Sequence, residues 1–413
     1  MLYPHSDLLS KVEREVDRRK EEIISFLQDA VRIPSVSCDE AQIVEFLREK
    51  LVALGFDQAV IDKIGNVYGT VRGTKGGKTL VYNGHVDHVP PGEMEDPYSA
   101  KIIDGREFGV KGPVIYGRST ADMKSGIVSM IMGAHIASEI AGHLKENLTV
   151  TGVVMEDATP GHPGPKYLVE KDGLSGDAAI ITESTNLNLN LGHRGSSLVV
   201  VRFKGKSAHA SEPSRGVNAL YHASKFISGF EMIRKSFPRH EVLGYPTAAI
   251  TDVKVYPGAL NVIPERCDVF IDFRYIPEYR MGDLIREIEN LISRLKTEDD
   301  AVNGEASIVR KHLRSHTGLE SETEAVNLPF YTSPSEELVK TSSEVLRGIT
   351  GKAELGTWTF GTDGAYFASL GIPTIGIGPG EERFAHTVQE HVRVSDLLDA
   401  TKVYAGINLA FCG

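Results

Sequence analysis

A chain of 413 residues exceeds what one hydrophobic core usually organises, and its 41% hydrophobic and 24% charged residues are those of a folded protein rather than a disordered or low-complexity one. The formal net charge of -11 disfavours nucleic acid and anionic membranes as partners and favours small molecules. Three cysteines, Cys38, Cys267 and Cys412, odd in number and far apart, exclude a disulfide framework and a sulfur-rich metal site, and fit a reducing, cytoplasmic compartment.

The N-terminal segment MLYPHSDLLSKVEREVDRRKEE is charged and amphipathic where a secretory signal would carry an apolar core, and no later apolar run reaches membrane-spanning length. From about Ser10 to Leu54, apolar residues such as Val12, Val16, Ile23, Ile24 and Leu27 recur at helical spacing, broken at Pro34, which predicts two helices. The β-rich runs NVYGTVRG, TLVYNGHVD, NLTVTGVVMED and AAIITES then alternate with helical stretches, one of them from about Met123 to Ile140. Such alternation predicts an α/β fold, a largely parallel sheet with helices on its faces.

From about Arg194 the order changes. SLVVVRFKG reads as a strand, NALYHASKFISGFEMIRKSF as a helix, AAITDVKVYPG and CDVFIDFRYIP as two strands, Met281 to Leu295 as a helix and ASIVRKH as a strand. This βαββαβ succession predicts a ferredoxin-like two-layer unit with one sheet face left free. It is expected as an inserted domain over 194–315, interrupting a discontinuous domain of 1–193 and 316–413. After it come a helix near Ser335, the glycine-rich GTDGAYFASLGIPTIGIGPG and a last helix from about Ser395.

The polar residues at the strand ends carry the chemistry. TLVYNG runs into His85 and Asp87, LTVTGVVM into Glu156 and Asp157, AAIIT into Glu183, and PTIGIG leads through a loop to His386. The carboxyl ends of strands in an open α/β sheet line one crevice, so these residues are expected to converge. His85 and Asp87, two apart on an extended segment, leave the same face, where the carboxylate can orient the ring. Asp122, in YGRSTADMKSG ahead of an apolar helix, reads either as a helix cap or as a carboxylate whose two oxygens bridge two cations. The adjacent Glu156 and Asp157 would point apart on an extended segment. His88, His162, His193 and His391 are neighbouring histidines that spacing alone does not exclude. Nitrogen and carboxylate donors without thiolates suit Zn²⁺, with Co²⁺ or Mn²⁺ as substitutes. Three carboxylates offset most of the charge of two divalent ions, and a bridging hydroxide would bring the cluster near neutrality.

Taken together, NGHVDHVPPG, YGRSTADMKSG, MED, GKSAHAS and FAHTVQEHV, in this order, resemble the motifs of the M20 metallopeptidase family. That group includes acetylornithine deacetylase, succinyl-diaminopimelate desuccinylase, aminoacylases and carboxypeptidase G2-like enzymes. The resemblance spans nearly the whole chain and implies a dinuclear zinc exopeptidase-like catalytic domain with a lid and dimerisation domain inserted in it. It implies that Asp122 bridges two metals, with His85 and Glu183 completing one site and Asp157 and His386 the other. Asp87 would orient His85, and Glu156 would be the general base of an amide hydrolysis that uses a bridging metal-activated hydroxide. On the lid, His209 matches a histidine that stabilises the oxyanion, often in a partner subunit's active site. Asn261 and Arg274 match residues that hold a substrate carboxylate, and Thr362 one that lines the pocket. Two departures stand out: Asp157 replaces a usual glutamate, and Ser119 and Ser125 replace usual glycines.

The implied protein is thus a deacylase or dipeptidase acting on a small carboxylate-bearing N-acyl amino acid or short peptide, as a homodimer through the inserted domain. An N-carbamoyl amide hydrolase has a similar motif order. A non-catalytic binding or scaffold descendant of the same fold is the contrasting reading, given room only by the Asp157 substitution.

Overall fold

The computed structural model describes residues 6–157 and 159–413, so the first five residues of the amphipathic N-terminal segment lie outside the described residues. Three helices open it, Ser6–Arg18, Lys20–Val31 and Ala41–Ala53. The expected pair is a trio because the first helical stretch breaks at Arg19, whose φ and ψ of -99° and 11° leave the helix for one residue.

Among the described residues the larger sheet has eight strands, in the order Gln58–Ile61, Val67–Val71, Asn147–Val153, Thr79–His85, Ala178–Ile181, Thr374–Gly376, Leu189–Asn190 and Leu355–Gly356. The four from Asn147–Val153 to Thr374–Gly376 are mutually parallel. They are almost entirely buried, which asks for apolar side chains on both faces and explains why their sequences do not alternate. Helices Ser125–Ala141 and Val394–Cys412 pack against each other over this sheet.

Two local features set the start of the Ser125–Ala141 helix. A Cβ on Gly126 would lie 2.1 Å from the Thr182 carbonyl oxygen, so the absence of a side chain lets the helix reach the end of the Ala178–Ile181 strand. The preceding Thr120–Lys124 forms a wide turn in which Asp122 (φ -126°, ψ 89°) and Met123 (φ -141°, ψ 35°) leave helical geometry. The helix therefore begins two residues later than the periodicity predicts, and Asp122 is thrown out toward Glu183 instead of capping it. Lys124, fully buried, donates to the Ala30 and Ile33 carbonyls at 3.1 and 2.7 Å and ties this turn to the end of the Lys20–Val31 helix.

The second sheet is antiparallel, ordered Thr247–Tyr256, Arg266–Tyr275, Gly195–Lys204, Asn303–Ile308. With helices Ala219–Arg234 and Met281–Glu298, its chain order is βαββαβ. It has a core of its own around Val199, Val201, Phe203, Phe226, Phe230, Ile271, Phe273 and Ile288. A two-stranded ribbon, Arg310–Arg314 with Glu320–Glu324, follows, and Val326–Asn327 then returns to pair with Gly195–Lys204. The return strand lies beyond Ser315, so this sheet is finished later in the chain than the sequence pattern indicates. Among the described residues no helix is long and apolar enough to cross a membrane.

Candidate metal centre

Three parallel strands end at one edge of the larger sheet. Thr79–His85 delivers His85 as its last residue, Asn147–Val153 is followed by Glu156 and Asp157, and Ala178–Ile181 is followed by Glu183. The turn before the Ser125–Ala141 helix adds Asp122, and the loop after Thr374–Gly376 adds His386.

Their polar atoms meet. His85 Nε2 is 2.9 Å from Asp122 Oδ1 and 3.3 Å from Glu183 Oε1. His386 Nε2 is 2.9 Å from both Asp122 Oδ2 and Asp157 Oδ1. The two oxygens of one carboxylate thus face two different imidazoles. Donor atoms of His85, Asp122 and Glu183, of Asp122, Asp157 and His386, and of His85, Glu156 and Asp157 each lie within 4.8 Å of one another. The helix-cap alternative for Asp122 is excluded, since its oxygens are turned away from the helix start.

The electrostatics describe a cluster short of positive charge. Burial, reinforced by the Asp122 charge, pushes the Glu183 carboxyl up to about 8. Burial also drives Glu156 well above the carboxylate range, with Asp363 and Glu183 adding repulsion against the help of His85. Bonds to Asp122 and Asp157 raise His386 to about 10. Burial disfavours the charged His85 ring, yet Glu183 and Asp122 still raise it well above its ordinary value. Carboxyls that hold protons beside imidazoles that hold protons are the signature of anions lacking cations. Glu183 Oε2, buried with no hydrogen-bond partner among the described residues, points to the same deficit. The donor set and this orphaned oxygen fit divalent metal.

Supporting bonds fix the cluster. His85 Nδ1 donates to the Asp87 carbonyl oxygen at 2.9 Å, whereas the Asp87 carboxylate is farther, at 3.5 Å. That carboxylate is engaged elsewhere: it accepts from the Glu156 and Asp157 backbone N–H groups at 3.1 Å each and from Ser37 Oγ at 2.5 Å. Asp87 therefore orients the ring with its main chain and the Glu156-Asp157 pair with its side chain. The pair lies on a turn, with Met155 in the left-handed region at φ 62°, and not on an extended strand as the sequence suggested. Asp157 Oδ2 accepts from Val89 N at 3.0 Å, so its short side chain is held between that amide and His386.

The neighbouring histidines are engaged elsewhere. His88 Nε2 accepts from Ser35 N and its Nδ1 donates to Val89 O; His193 Nε2 accepts from Thr362 N and its Nδ1 donates to Arg194 O. His162 Nδ1 meets Asp363 Oδ1 at 3.0 Å while its Nε2 accepts from Leu328 N. His391 Nδ1 donates to Gln389 O.

The residues read as substrate contacts scatter. Arg274 lines a cavity of about 300 Å³ together with Glu156 and Asp157. His209 and Asn261 are exposed neighbours, with Ala210 N donating to Asn261 O at 2.9 Å, and His209 Nδ1 bonds Ser211 Oγ. No metal-ligating candidate is among their hydrogen-bond partners in the described residues. Thr362, expected to line the pocket, is fully buried against His193. The sequence reading missed Glu390, which is fully buried, accepts from the Ala121 and Asp122 N–H groups and pairs with Arg118. Its position four residues after His386 was the available signal.

Residues 81–409 match the peptidase family M20/M25/M40. The chain is 29% identical over 392 residues to the protein YgeY of Escherichia coli strain K12, covering 94% of this chain and 93% of that one. It is 27% identical over 396 residues to the succinyl-diaminopimelate desuccinylase of Pseudomonas syringae, covering 91% and 94%. The fold is that of the Bacillus subtilis YXEP protein, a dinuclear metal binding peptidase of the M20 family, with a TM-score of 0.70 at 15% identity over 96% of this chain and 99% of that one.

Proposed function

The chain belongs to the peptidase family M20/M25/M40 and is a hydrolase, and from that premise we propose that it cleaves the amide bond of an N-acyl amino acid or short peptide with two divalent ions bound. The observation that carries this reading is the Asp122 carboxylate, whose two oxygens face His85 and His386 separately, with Glu156 beside them. In the proposed arrangement His85, Asp122 and Glu183 hold one ion and Asp122, Asp157 and His386 the other, with zinc the best match to the donors. When bound, such ions polarise a carbonyl and acidify water at neutral pH.

The chain's own residues do the rest. Glu156, held by Asp87 through its backbone N–H, accepts the proton of the attacking water and passes it to the departing nitrogen. Arg274, in the same cavity, forms part of the pocket wall with its guanidinium bonded to Asp272. His209 and Asn261 would serve the oxyanion and the substrate from a second copy, which gives the proposed lid, residues 194–315, a dimeric role.

The test is metal quantitation on the purified protein, then a hydrolysis panel of N-acetyl, N-succinyl and N-carbamoyl amino acids with dipeptides, using chelated protein as control. Release of free amino acid from an N-acyl compound or dipeptide supports the reading. Turnover of N-carbamoyl compounds alone would move it to that class, and no turnover by metal-replete protein would leave the scaffold reading.

A further inference from the structure

The ribbon Arg310–Arg314 with Glu320–Glu324 carries a charge pattern that its register makes readable. Arg310 stands opposite Glu324, Lys311 opposite Thr323, His312 opposite Glu322, Leu313 opposite Ser321 and Arg314 opposite Glu320. Side chains alternate between faces along a strand, so Arg310, His312 and Arg314 share one face with the three glutamates. Ion pairs form there, Arg310 with Glu322 and Glu324 and Arg314 with Glu320, and His312 Nε2 lies 3.8 Å from Glu320 Oε2. Lys311 is on the other face with Leu313, Thr323 and Ser321. Among the described residues no carboxylate lies within 4.0 Å of its ammonium group.

That face packs on the segment that follows the Glu156-Asp157 pair, and its Lys311 reaches the cavity beside them. Leu313 is buried, and a Cβ on Gly161 would touch Thr323 Oγ1 at 2.1 Å, so the ribbon is seated on the loop that follows Glu156 and Asp157. Lys311 lines the cavity of about 300 Å³ that holds Glu156, Asp157, Asp272 and Arg274. The other cation there is already engaged: Arg274 Nε and Nη2 donate to the two oxygens of Asp272 at 2.7 and 3.1 Å. The root of the ribbon is fixed to the smaller sheet, with Val309 N donating to Leu198 O and Ala325 N to Val309 O at 2.9 and 2.7 Å.

We propose that Lys311 is a specificity-determining residue that binds a carboxylate of the substrate in this cavity. The proposal rests on reading the cavity as the substrate site of the amide hydrolase. Two of the three carboxylates around Lys311 have other duties, at the metal centre and in proton transfer, and Asp272 is committed to Arg274. Among the described residues the ammonium group is thus the one cation of the cleft free to take a substrate anion, and charge-assisted bonds are the stronger kind.

The experiment compares metal-loaded E156Q with metal-loaded E156Q/K311M by calorimetry, using an N-acetyl amino acid, its C-terminal carboxamide and an N-succinyl amino acid. Turnover of the same compounds by the wild type and K311M proteins is measured in parallel. Lys311 is exposed, so its substitution leaves the core intact. The expected result is a weakening of roughly tenfold or more for the N-acetyl acid, with the carboxamide changed less than about twofold, and a matching rise in KM at similar kcat. Loss confined to the N-succinyl compound would also support the proposal and assign the acyl carboxylate as the anion. Equal affinity in both proteins for all three compounds overturns it. Lys311-dependent binding without wild-type turnover would sink the hydrolase reading and keep the anion site; turnover without Lys311 dependence would do the reverse.

Discussion

Glu390 and Asp122 are joined through the main chain: one buried carboxylate oxygen of Glu390 accepts the Asp122 N–H at 3.1 Å and the Ala121 N–H at the same distance, while its other oxygen pairs with Arg118. The position of Asp122 between His85 and His386 therefore depends on a residue from the far end of the sequence. Replacing Glu390 by Ala leaves the Arg118 charge buried and unpaired, which is expected to cost about 3–5 kcal/mol of stability. Zinc affinity, by chelator competition, should fall with it. E390Q keeps an acceptor for both amides and should retain more of each. Urea denaturation within experimental error of wild type for E390A would contradict this.

In the proposed mechanism Glu156 moves a proton, and the ions are held by the other five residues. E156Q should bind close to the wild-type amount of zinc by elemental analysis while kcat falls by roughly 10²–10⁴-fold. Retained turnover would remove Glu156 from the mechanism.

The two halves of the centre differ in exposure. His85 and Glu183 are buried to within 3% of full burial, whereas the His386 side chain, which meets the buried Asp157 carboxylate, is 47% exposed. Stepwise chelation should release one ion before the other, and H386A should bind one ion per chain. D122N, which weakens both sites, should bind neither tightly. Simultaneous loss of both ions from the wild type, or two ions in H386A, would contradict the asymmetry.

Two histidines outside the centre report on acid stability. Burial pushes both His88 and His193 down to about 4, and each accepts a backbone N–H on Nε2, a bond that needs the neutral ring. Their folded pKa values lie below the unfolded 6.5, so their contribution is complete above pH 6.5 and is lost as the pH falls from there toward 4. Each can contribute about 1.4 kcal/mol per pH unit within that window. Urea midpoints at pH 7 and pH 5 should therefore fall less for H193Q than for wild type; equal falls would count against the assignment.

Ser119 sits in the left-handed region at φ 64°, where the resemblance places a glycine. Its hydroxyl bonds the Arg118 carbonyl at 2.6 Å but does not remove the crowding of its Cβ. S119G should stabilise the protein by about 1 kcal/mol, measured by thermal or urea unfolding, without altering zinc stoichiometry.

Much of this architecture could be read from residue pattern, and the exceptions have physical reasons. TLVYNG, LTVTGVV and AAII are apolar without alternation because they are buried on both faces, and that regularity located three strand ends and four of the polar residues at the centre. The turn at Asp122 was not legible, because helical periodicity continues through Met123 while the backbone does not. Glu390 was missed because a glutamate in a polar run such as HTVQEHV looks solvated, and only the fold supplies Arg118 and two amides for it. The role of the Asp87 carbonyl was hidden for a related reason: sequence displays side chains, whereas the ring is oriented by main chain. Lys311 was invisible as a single lysine among basic residues until strand register separated it from its neighbours.

The five side chains gathered by the proposed ions come from both sides of the smaller sheet in sequence, His85 to Glu183 before it and His386 after it. Ions held by all of them would act as a non-covalent cross-link from His85 to His386, closing long loops that the unfolded polymer would otherwise leave open. A backbone cut at the tip of the ribbon, near Thr317, should leave the two fragments associated through the packing of Val394–Cys412 on Ser125–Ala141 and the pairing of Thr374–Gly376 with Ala178–Ile181, and the nicked protein should unfold at lower urea once a chelator is added.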